Sequence, residues 1–513
     1  MLDNFSPPPT KPTVIERSAP LSAPLVVQSH GYRYTVDGNT LLPMEALRLR
    51  LLTASDPSMA VHALEAAYRQ VGYPLVAVRA NVSGKTVSVT IIEGVINALK
   101  APSGLRSFYT GLLYQQGLSN AALIRRNILA QSYAARSGEQ PQVGIQPGQA
   151  VGASVLSVQA EPLPKYQPWQ LSYTFGNFGS RYSSRYEGIT AASLNMGHGV
   201  QLHGSFANGF PGLSRETSGS NYADGIFGAS IVTPWGIYGA DYEALHYRIG
   251  AAAAPLYPTG NIHRLSVTGT QLAFADTDTR FAVAESWNQI INTVTAYNGF
   301  YRLTDQRYQY LDLSATLSQS FQAQGMPATM SGSFGISKGI SPHRGTLSQS
   351  APYLPSPRFL LYHWNLAYQQ TLPLGMTVTA GFNGQWAENV LPSYNQWILG
   401  GMGNLSAYYP GIISGDSGYL GRFSLNGPAW RWRWFSADLN MAYAWGAAHN
   451  SYTPIGQPYW MGLGDLSLGL NLATDFGTSV RLVGAIPAGS VSVSKALRDS
   501  YHNDIYFSIT QSF

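Results

Sequence analysis

The last nine residues, Ile505-Tyr506-Phe507-Ser508-Ile509-Thr510-Gln511-Ser512-Phe513, place Ile505, Phe507, Ile509 and Phe513 on one face. A period of two is the signature of a β-strand with one apolar side. Alternation of this kind recurs along the chain from Gln170 onward in seventeen segments separated by short polar turns. Arg185–Asn195, Gly199–Asn208, Arg264–Phe274, Trp434–Trp445 and Asp465–Thr474 are examples. Most are long enough for the ~9–11 residues that a tilted membrane strand requires. Closed single-chain barrels of the bacterial type have an even number of strands, so one of the seventeen assignments is expected to be wrong. Gln396–Gly400, the shortest, is the candidate.

Composition narrows the class. Only 11% of the 513 residues are charged, against about 25% in ordinary soluble proteins. No uninterrupted apolar run approaches the ~18–20 residues of a membrane helix, so a helical bundle in the membrane is excluded. A chain that is 12% aromatic has ample material for a core, which excludes disorder. With no cysteine, disulfide frameworks, thiolate zinc sites and thiol catalysis are excluded too. A transmembrane β-barrel spreads its apolar residues over alternate positions and keeps charge low, and this is the expected class. A soluble β-propeller is disfavoured, because no repeat of ~40–50 residues is present.

The chain divides near Lys165. Residues 1–165 hold 14 Lys/Arg and 9 Asp/Glu, whereas residues 166–513 hold 17 of each. All 11 tryptophans, 25 of 32 tyrosines and 17 of 19 phenylalanines follow Lys165. The expected organisation is a Pro-rich linker over 1–24, two small α+β units over 25–97 and 98–165, and a barrel over 166–513. In the first unit the pattern predicts a strand Tyr32–Val36, helices Met44–Leu52 and Met59–Val71, and strands Leu75–Asn81 and Thr86–Ile92. In the second it predicts helices Leu105–Gln116 and Asn120–Ala135 and the strand Ala153–Ala160, with the middle strands poorly marked. The net +5 of the first part reads as a solvated surface rather than a docking site.

Motifs that suggest chemistry do not assemble into sites. Gly415-Asp416-Ser417-Gly418 resembles a serine-protease nucleophile stretch, but no histidine base stands in a matching context. The ten histidines are scattered, without zinc-ligand spacing. Trp430-Arg431-Trp432-Arg433-Trp434 alternates cation and aromatic, which fits stacking on nucleic acid or sugar. A strand at a membrane interface, with its tryptophans toward lipid, fits better. No catalytic residue, cofactor, metal or nucleic-acid partner is expected. The start Met1-Leu2-Asp3-Asn4 lacks the basic and apolar regions of a signal peptide, as expected for a mature form.

Several stretches in order resemble a known family. Gly38-Asn39, Tyr68, Gly72-Tyr73 and Glu93-Gly94 look like a POTRA domain, and Pro147-Gly148 through Val158 looks like the close of a second. Asn177, Gly179-Ser180 and Gly188 are similar to the family's opening barrel strands. Gly400-Gly401 through Tyr408, then Asp416, Gly418 and Tyr419, look like its inward-folded loop. From about Leu25 to Phe513 the chain resembles a two-partner secretion outer-membrane transporter of the hemolysin secretion/activation type.

That resemblance implies a 16-stranded barrel in the bacterial outer membrane, two periplasmic POTRA domains, and ATP-free export of one large, unfolded, β-helix-forming exoprotein. It implies an inward loop over about 401–417 with its tip at Asn404, Leu405, Ser406, Ala407 and Tyr408. The facing wall would be Tyr443, Ala444 and Gly446, and Phe513 a C-terminal assembly signal. Implied partners besides the exoprotein are outer-membrane lipid and lipopolysaccharide, and the barrel-assembly machinery during biogenesis; the protein would be a monomer. Alternatives are a barrel-assembly insertase, a passive porin or a barrel enzyme. The chain departs from the family at the loop tip, usually Val-Arg-Gly-Tyr and here Leu405-Ser406-Ala407-Tyr408. The wall aspartate that meets that arginine falls at Ala444, and Ser424 stands where an acidic residue is common. The expectation is a loop held by packing and neutral hydrogen bonds, with Ser406→Arg destabilising alone and rescued by Ala444→Asp. The family's N-terminal plug helix is not expected, since residues 1–24 contain six prolines.

Overall fold

The computed structural model describes residues 24–341, 345–348, 351, 353–453 and 458–513. The Pro-rich linker thus lies outside the described residues, apart from Pro24. The first α+β unit contains β1 (Leu25–Ser29), β2 (Tyr32–Asp37), α1 (Met44–Thr53), α2 (Pro57–Gln70), β3 (Val76–Ser83) and β4 (Thr86–Glu93). Its sheet has the order β1-β2-β4-β3, with β2 and β4 parallel. Asp56 caps α2 by accepting from Met59 N at 2.9 Å, and Pro57 opens the helix without losing a bond. Tyr34, Val36, Leu47, Leu51, Leu64, Val87 and Val89 form the core.

The resemblance residues of this unit converge on one buried network. Glu93 accepts from Thr40 N at 2.8 Å, Leu41 N at 3.0 Å and Tyr68 Oη at 3.0 Å. Tyr68 Oη also bonds Asn39 Oδ1, whose amide nitrogen donates to Leu42 O at 2.8 Å. Burial, and then the Glu93 charge, push the Tyr68 phenol well above its ordinary range. Gly38 has φ +86°, and a Cβ there would lie 2.2 Å from Ile91 O, so the turn that presents Asn39 requires glycine.

The second unit comprises β5 (Val95–Lys100), α3 (Ser103–Tyr109), α4 (Asn120–Ala135), β6 (Glu139–Pro147) and β7 (Ala153–Pro162), in sheet order β5-β7-β6. Helix α3 stops at Tyr109 in a single tight turn, Thr110–Leu112, short of the expected Gln116. Val232, the last residue of a barrel strand, joins its buried core. Arginines of α4 and its C-terminal end fix it to the rim. Arg136 donates to Gly199 O and Ser230 O at 2.8 and 2.9 Å, Arg126 to Pro234 O at 3.0 Å, and Arg125 to Ala273 O at 3.0 Å.

The barrel starts with β8 (Trp169–Gly176), β9 (Glu187–Gly197), β10 (Val200–Gly209), β11 (Asn221–Val232), β12 (Ile237–Arg248), β13 (Thr259–Ala275), β14 (Thr279–Ala296) and β15 (Tyr301–Ala323). It continues with β16 (Met326–Gly339), β17 (Leu360–Thr371) and β18 (Thr377–Ala387). Two short strands, β19 (Trp397–Leu399) and β20 (Ile413–Gly415), pair only with each other. Then follow β21 (Ser417–Asn426), β22 (Trp430–Trp432), β23 (Phe435–His449), β24 (Trp460–Thr474), β25 (Thr478–Val491), α5 (Lys495–Tyr501) and β26 (Ile505–Ser512). β22 continues the ladder of β21 on β23, so the wall has sixteen antiparallel strands and closes where β26 meets β8. The expected outlier Gln396–Gly400 is β19, inside the bore.

Among the described residues no helix is long and apolar enough to cross a membrane, and the closed barrel leaves no strand edge unpaired. Along β23, Leu439, Met441, Tyr443 and Trp445 are exposed, while Ala442, Ala444 and Ala448 are buried. The exposed set is the outer, apolar wall, and the small alternate residues leave room inside.

Candidate functional site

The segment between β18 and β21 turns back into the barrel and crosses its bore. Gly400 and Gly401, at φ +101° and +104°, make the reversal; a Cβ on Gly400 would lie 2.2 Å from Tyr409 O. The tip then closes on itself, with Gly401 N donating to Tyr408 O at 2.8 Å and Gly403 N to Ser406 Oγ at 3.2 Å. Leu405, Ser406, Ala407 and Tyr408 are fully buried, and Asn404 is half-buried, its amide donating to Ile398 O at 3.3 Å. Leu405, Ala407 and Tyr408 pack with Leu399, Leu420, Ala444 and Leu463.

The loop tip is not held by neutral contacts alone, which corrects the sequence expectation. Asp465 Oδ2 of β24 accepts from Ala407 N at 2.8 Å, and the Ser406 amide donates to the same carboxylate. Arg422 of β21 donates to Gly403 O at 2.9 Å and stands near enough to Asp465 to interact through charge. The strand register explains the missing wall aspartate. Arg422 lies opposite Ala444, and Ala444 opposite Asp465, in one row across β21, β23 and β24. The acid has moved one strand along and the cation sits on the wall, so both engage the main chain of the loop rather than a loop side chain. Charge-assisted bonds to main-chain groups are about twice as strong as neutral ones, and they place no demand on the identity of residue 406. Ser406→Arg therefore already has a carboxylate to meet, and Ala444→Asp would add a second beside it.

Other expected site residues have mixed positions. Asp416 is buried and fastens the loop base: Oδ1 accepts from Leu391 N at 2.8 Å and Oδ2 from Ser451 N at 2.7 Å. Gly418 leaves space for the Trp397 ring, which a Cβ would meet at 2.1 Å. Gly446 leaves space for Leu399, so the loop lies against the wall there. Tyr443 and Tyr419, however, point outward, a consequence of strand parity. Tyr443 stacks on Trp445 at 5.7 Å, and Tyr419 contacts Phe382 and Trp460 at 6.0 Å. Ser417 bonds the main chain of Ala387 at 2.9 Å, which accounts for the protease-like tetrapeptide without catalysis. Ser424 bonds Thr379 across the ladder. Phe513 N donates to Leu171 O at 2.9 Å at the closing seam.

Two further anchors had no signal in the residue order. The loop root reaches the opposite wall: Tyr394 Oη donates to Glu243 Oε2 at 3.0 Å, and Glu243 is paired with Arg264 Nε at 2.8 Å. Beyond the tip, the end of α5 and the segment after it pair with the loop. Tyr409 N donates to Tyr501 O at 2.8 Å, Asn503 N to Ala407 O at 2.9 Å, and Tyr506 Oη to Tyr408 O at 2.8 Å. The loop is thus a strut tied at its root to β12 and at its tip to β24 and β26. Asp465 and Arg422 did leave a signal, since each is the only charged residue of its strand. A lone charge on an inward face needs a partner. Among the described residues no cluster of His, Cys, Asp or Glu suits a metal ion.

A closed sixteen-stranded barrel, with its own loop in the bore and two α+β domains at one end, is the fold of an outer-membrane β-barrel of the kind that carries N-terminal α+β domains. Residues 291–472 match the family model "Haemolysin secretion/activation protein ShlB/FhaC/HecB". The heme/hemopexin transporter protein HuxB of Haemophilus influenzae strain 86-028NP is 21% identical over 358 residues, 65% of this chain and 59% of its own length. A second Haemophilus influenzae HuxB is 23% identical over 361 residues, with the same coverage. The match thus spans about three-fifths of these relatives. In fold, CdiB from Escherichia coli aligns with TM-score 0.76 at 17% identity, over 97% of this chain and 92% of its own. CdiB from Acinetobacter baumannii aligns at 0.69 and 14%, over 99% and 93%. These matches and the barrel together support a likeness to the two-partner secretion transporters of the outer membrane. The family's members are transporters, not enzymes.

Proposed function

We propose that this chain exports one large secreted partner polypeptide, unfolded and without ATP, through the bore that its inward loop occupies. The two α+β domains face the periplasm and capture the partner there. The observation that carries this reading is the strut: a loop folded into the bore, whose tip is held by Asp465 and Arg422 through main-chain atoms and by packing of Leu405, Ala407 and Tyr408 on the wall. An extended client adds to an open sheet edge by main-chain hydrogen bonds, a mode suited to a substrate without tertiary structure. The edges of the sheets β1-β2-β4-β3 and β5-β7-β6 offer such sites. The client is taken to be a β-helical exoprotein. The barrel is seated as a monomer in lipid and lipopolysaccharide after insertion by the assembly machinery, with Phe513 as part of the signal. Deleting residues 25–163 is expected to abolish export of the partner encoded beside this chain while leaving a heat-modifiable barrel. Undiminished export after that deletion would contradict the proposal.

A further inference from the structure

The inward loop has a companion at its tip. Strand alternation puts the turns bonded by Arg125, Arg126 and Arg136 at one end of the barrel. The connection between β25 and β26 lies at the other end, with the root of the inward loop and the β8–β9 connection. This connection carries α5. Ser494 caps the helix by accepting from Leu497 N at 3.2 Å. Leu497 and Tyr501 are one turn apart and share a face. With the buried Val493 they join the apolar cluster of Leu405, Ala407 and Tyr408.

The helix is bound unequally to its two neighbours. Toward the loop, Tyr408 and His502 form an antiparallel bridge, in which Tyr409 N donates to Tyr501 O at 2.8 Å and Asn503 N to Ala407 O at 2.9 Å. His502 Nδ1 also donates to Ala407 O, at 3.1 Å. Toward the wall, the contacts come from side chains of the β8–β9 connection. Tyr182 meets Tyr501 edge-on at 5.8 Å, and Arg181 lies over the same ring at 5.7 Å and donates to Ser500 O. Arg185 Nη2 donates to Asn503 Oδ1 at 3.4 Å. Cation–ring contacts are weak where water reaches them, whereas the loop side combines main-chain bonds with apolar side chains withdrawn from water.

We propose that α5 is the outer lid of the bore, and that lid and loop tip open as one body. They part from the wall at Asp465, Tyr506 and the β8–β9 connection, and not from each other. A tip that swings away carries the helix with it, because the contacts between the two are the stronger set. The inference rests on the reading of the bore as the export path, and it names the second moving element of that gate.

The chain has no cysteine, so two engineered cross-links separate the possible motions. Tyr408 and His502 are a non-hydrogen-bonded antiparallel pair, a geometry with Cα atoms about 4.5 Å apart, which a disulfide can span. Full-length Tyr408→Cys/His502→Cys therefore ties lid to loop on oxidation. Tyr182→Cys/Tyr501→Cys, joined by a short bis-maleimide, ties lid to wall. Each protein is compared with its own unlinked form, for conductance in planar lipid bilayers and for export of the partner encoded beside this chain. Heat-modifiable migration first confirms an intact barrel. The lid-to-wall link is expected to abolish open events and export, and the lid-to-loop disulfide to leave both as they are in the reduced form. Loss of open events on forming the lid-to-loop disulfide, or their persistence under the lid-to-wall link, overturns the inference. If Tyr408→Cys/His502→Cys does not fold, the lid-to-wall link decides alone. Export that persists while that link has closed the bore to ions would instead overturn the reading of the bore as the export path.

Discussion

Glu93 and Asp465 are both buried carboxylates that accept main-chain amides from an irregular turn, yet their settings are opposite. Glu93 holds the Thr40–Leu41 turn inside a closed core, with Tyr68 completing its shell. Asp465 holds the Ser406–Ala407 turn of a loop that stands in a bore, with Arg422 at its side. The first carboxylate can be released only by unfolding its domain. The second can be released by moving one loop. The same chemistry thus serves as a permanent fastening in the arm and as a latch in the barrel, and the difference lies in what surrounds it.

The sharpest way to break the comparison is Glu93→Ala. It strands three or more donors, each costing about 1–3 kcal/mol when buried and unpaired, so the first α+β unit should lose its fold. Limited proteolysis is expected to cut within residues 25–93 of the variant while the barrel keeps its heat-modifiable migration; protection equal to the parent would show that Glu93 is dispensable. Next in size, Ala444→Asp sets a second carboxylate directly opposite Asp465, where like charges repel. The temperature at which fast migration is lost should fall, and no drop would mean that the latch row is more hydrated than its burial indicates. Smaller still, Arg422→Ala frees the Gly403 carbonyl and removes the cation beside Asp465. A hydrogen bond involving a charged group contributes about 1.5–3 kcal/mol. Protease cleavage at the loop tip, around the exposed Gly403, should become faster, and an unchanged rate would assign the latch to Asp465 alone.

Much of the wall is legible in the residues because period-two alternation survives insertion in a membrane: outer residues must be apolar, and inner ones need not be. Sixteen of the seventeen segments are wall strands, and the short one lies in the bore. β6 carries Pro141 and Pro147 among polar residues, so neither alternation nor β-propensity marks it. β1 follows the Pro-rich stretch and is defined by its pairing with β2, which residue order does not display. The latch was legible only in part. The glycines that turn the loop could be picked out, but Asp465 and Arg422 acquire meaning only once register aligns them with Ala444. Comparison with a family pattern position by position reads Ser406 and Ala444 as two losses. The strand register shows a single rearrangement.

The central claim is that Asp465 latches the inward loop across the bore through the main chain of its tip. Conductance of the purified full-length protein in planar lipid bilayers tests it directly, with Asp465→Ala compared against the parent. The account predicts longer and larger open events in the variant, with unchanged heat-modifiable migration, because the loop is freed and the wall is intact. Conductance indistinguishable from the parent, with the barrel intact, would contradict it.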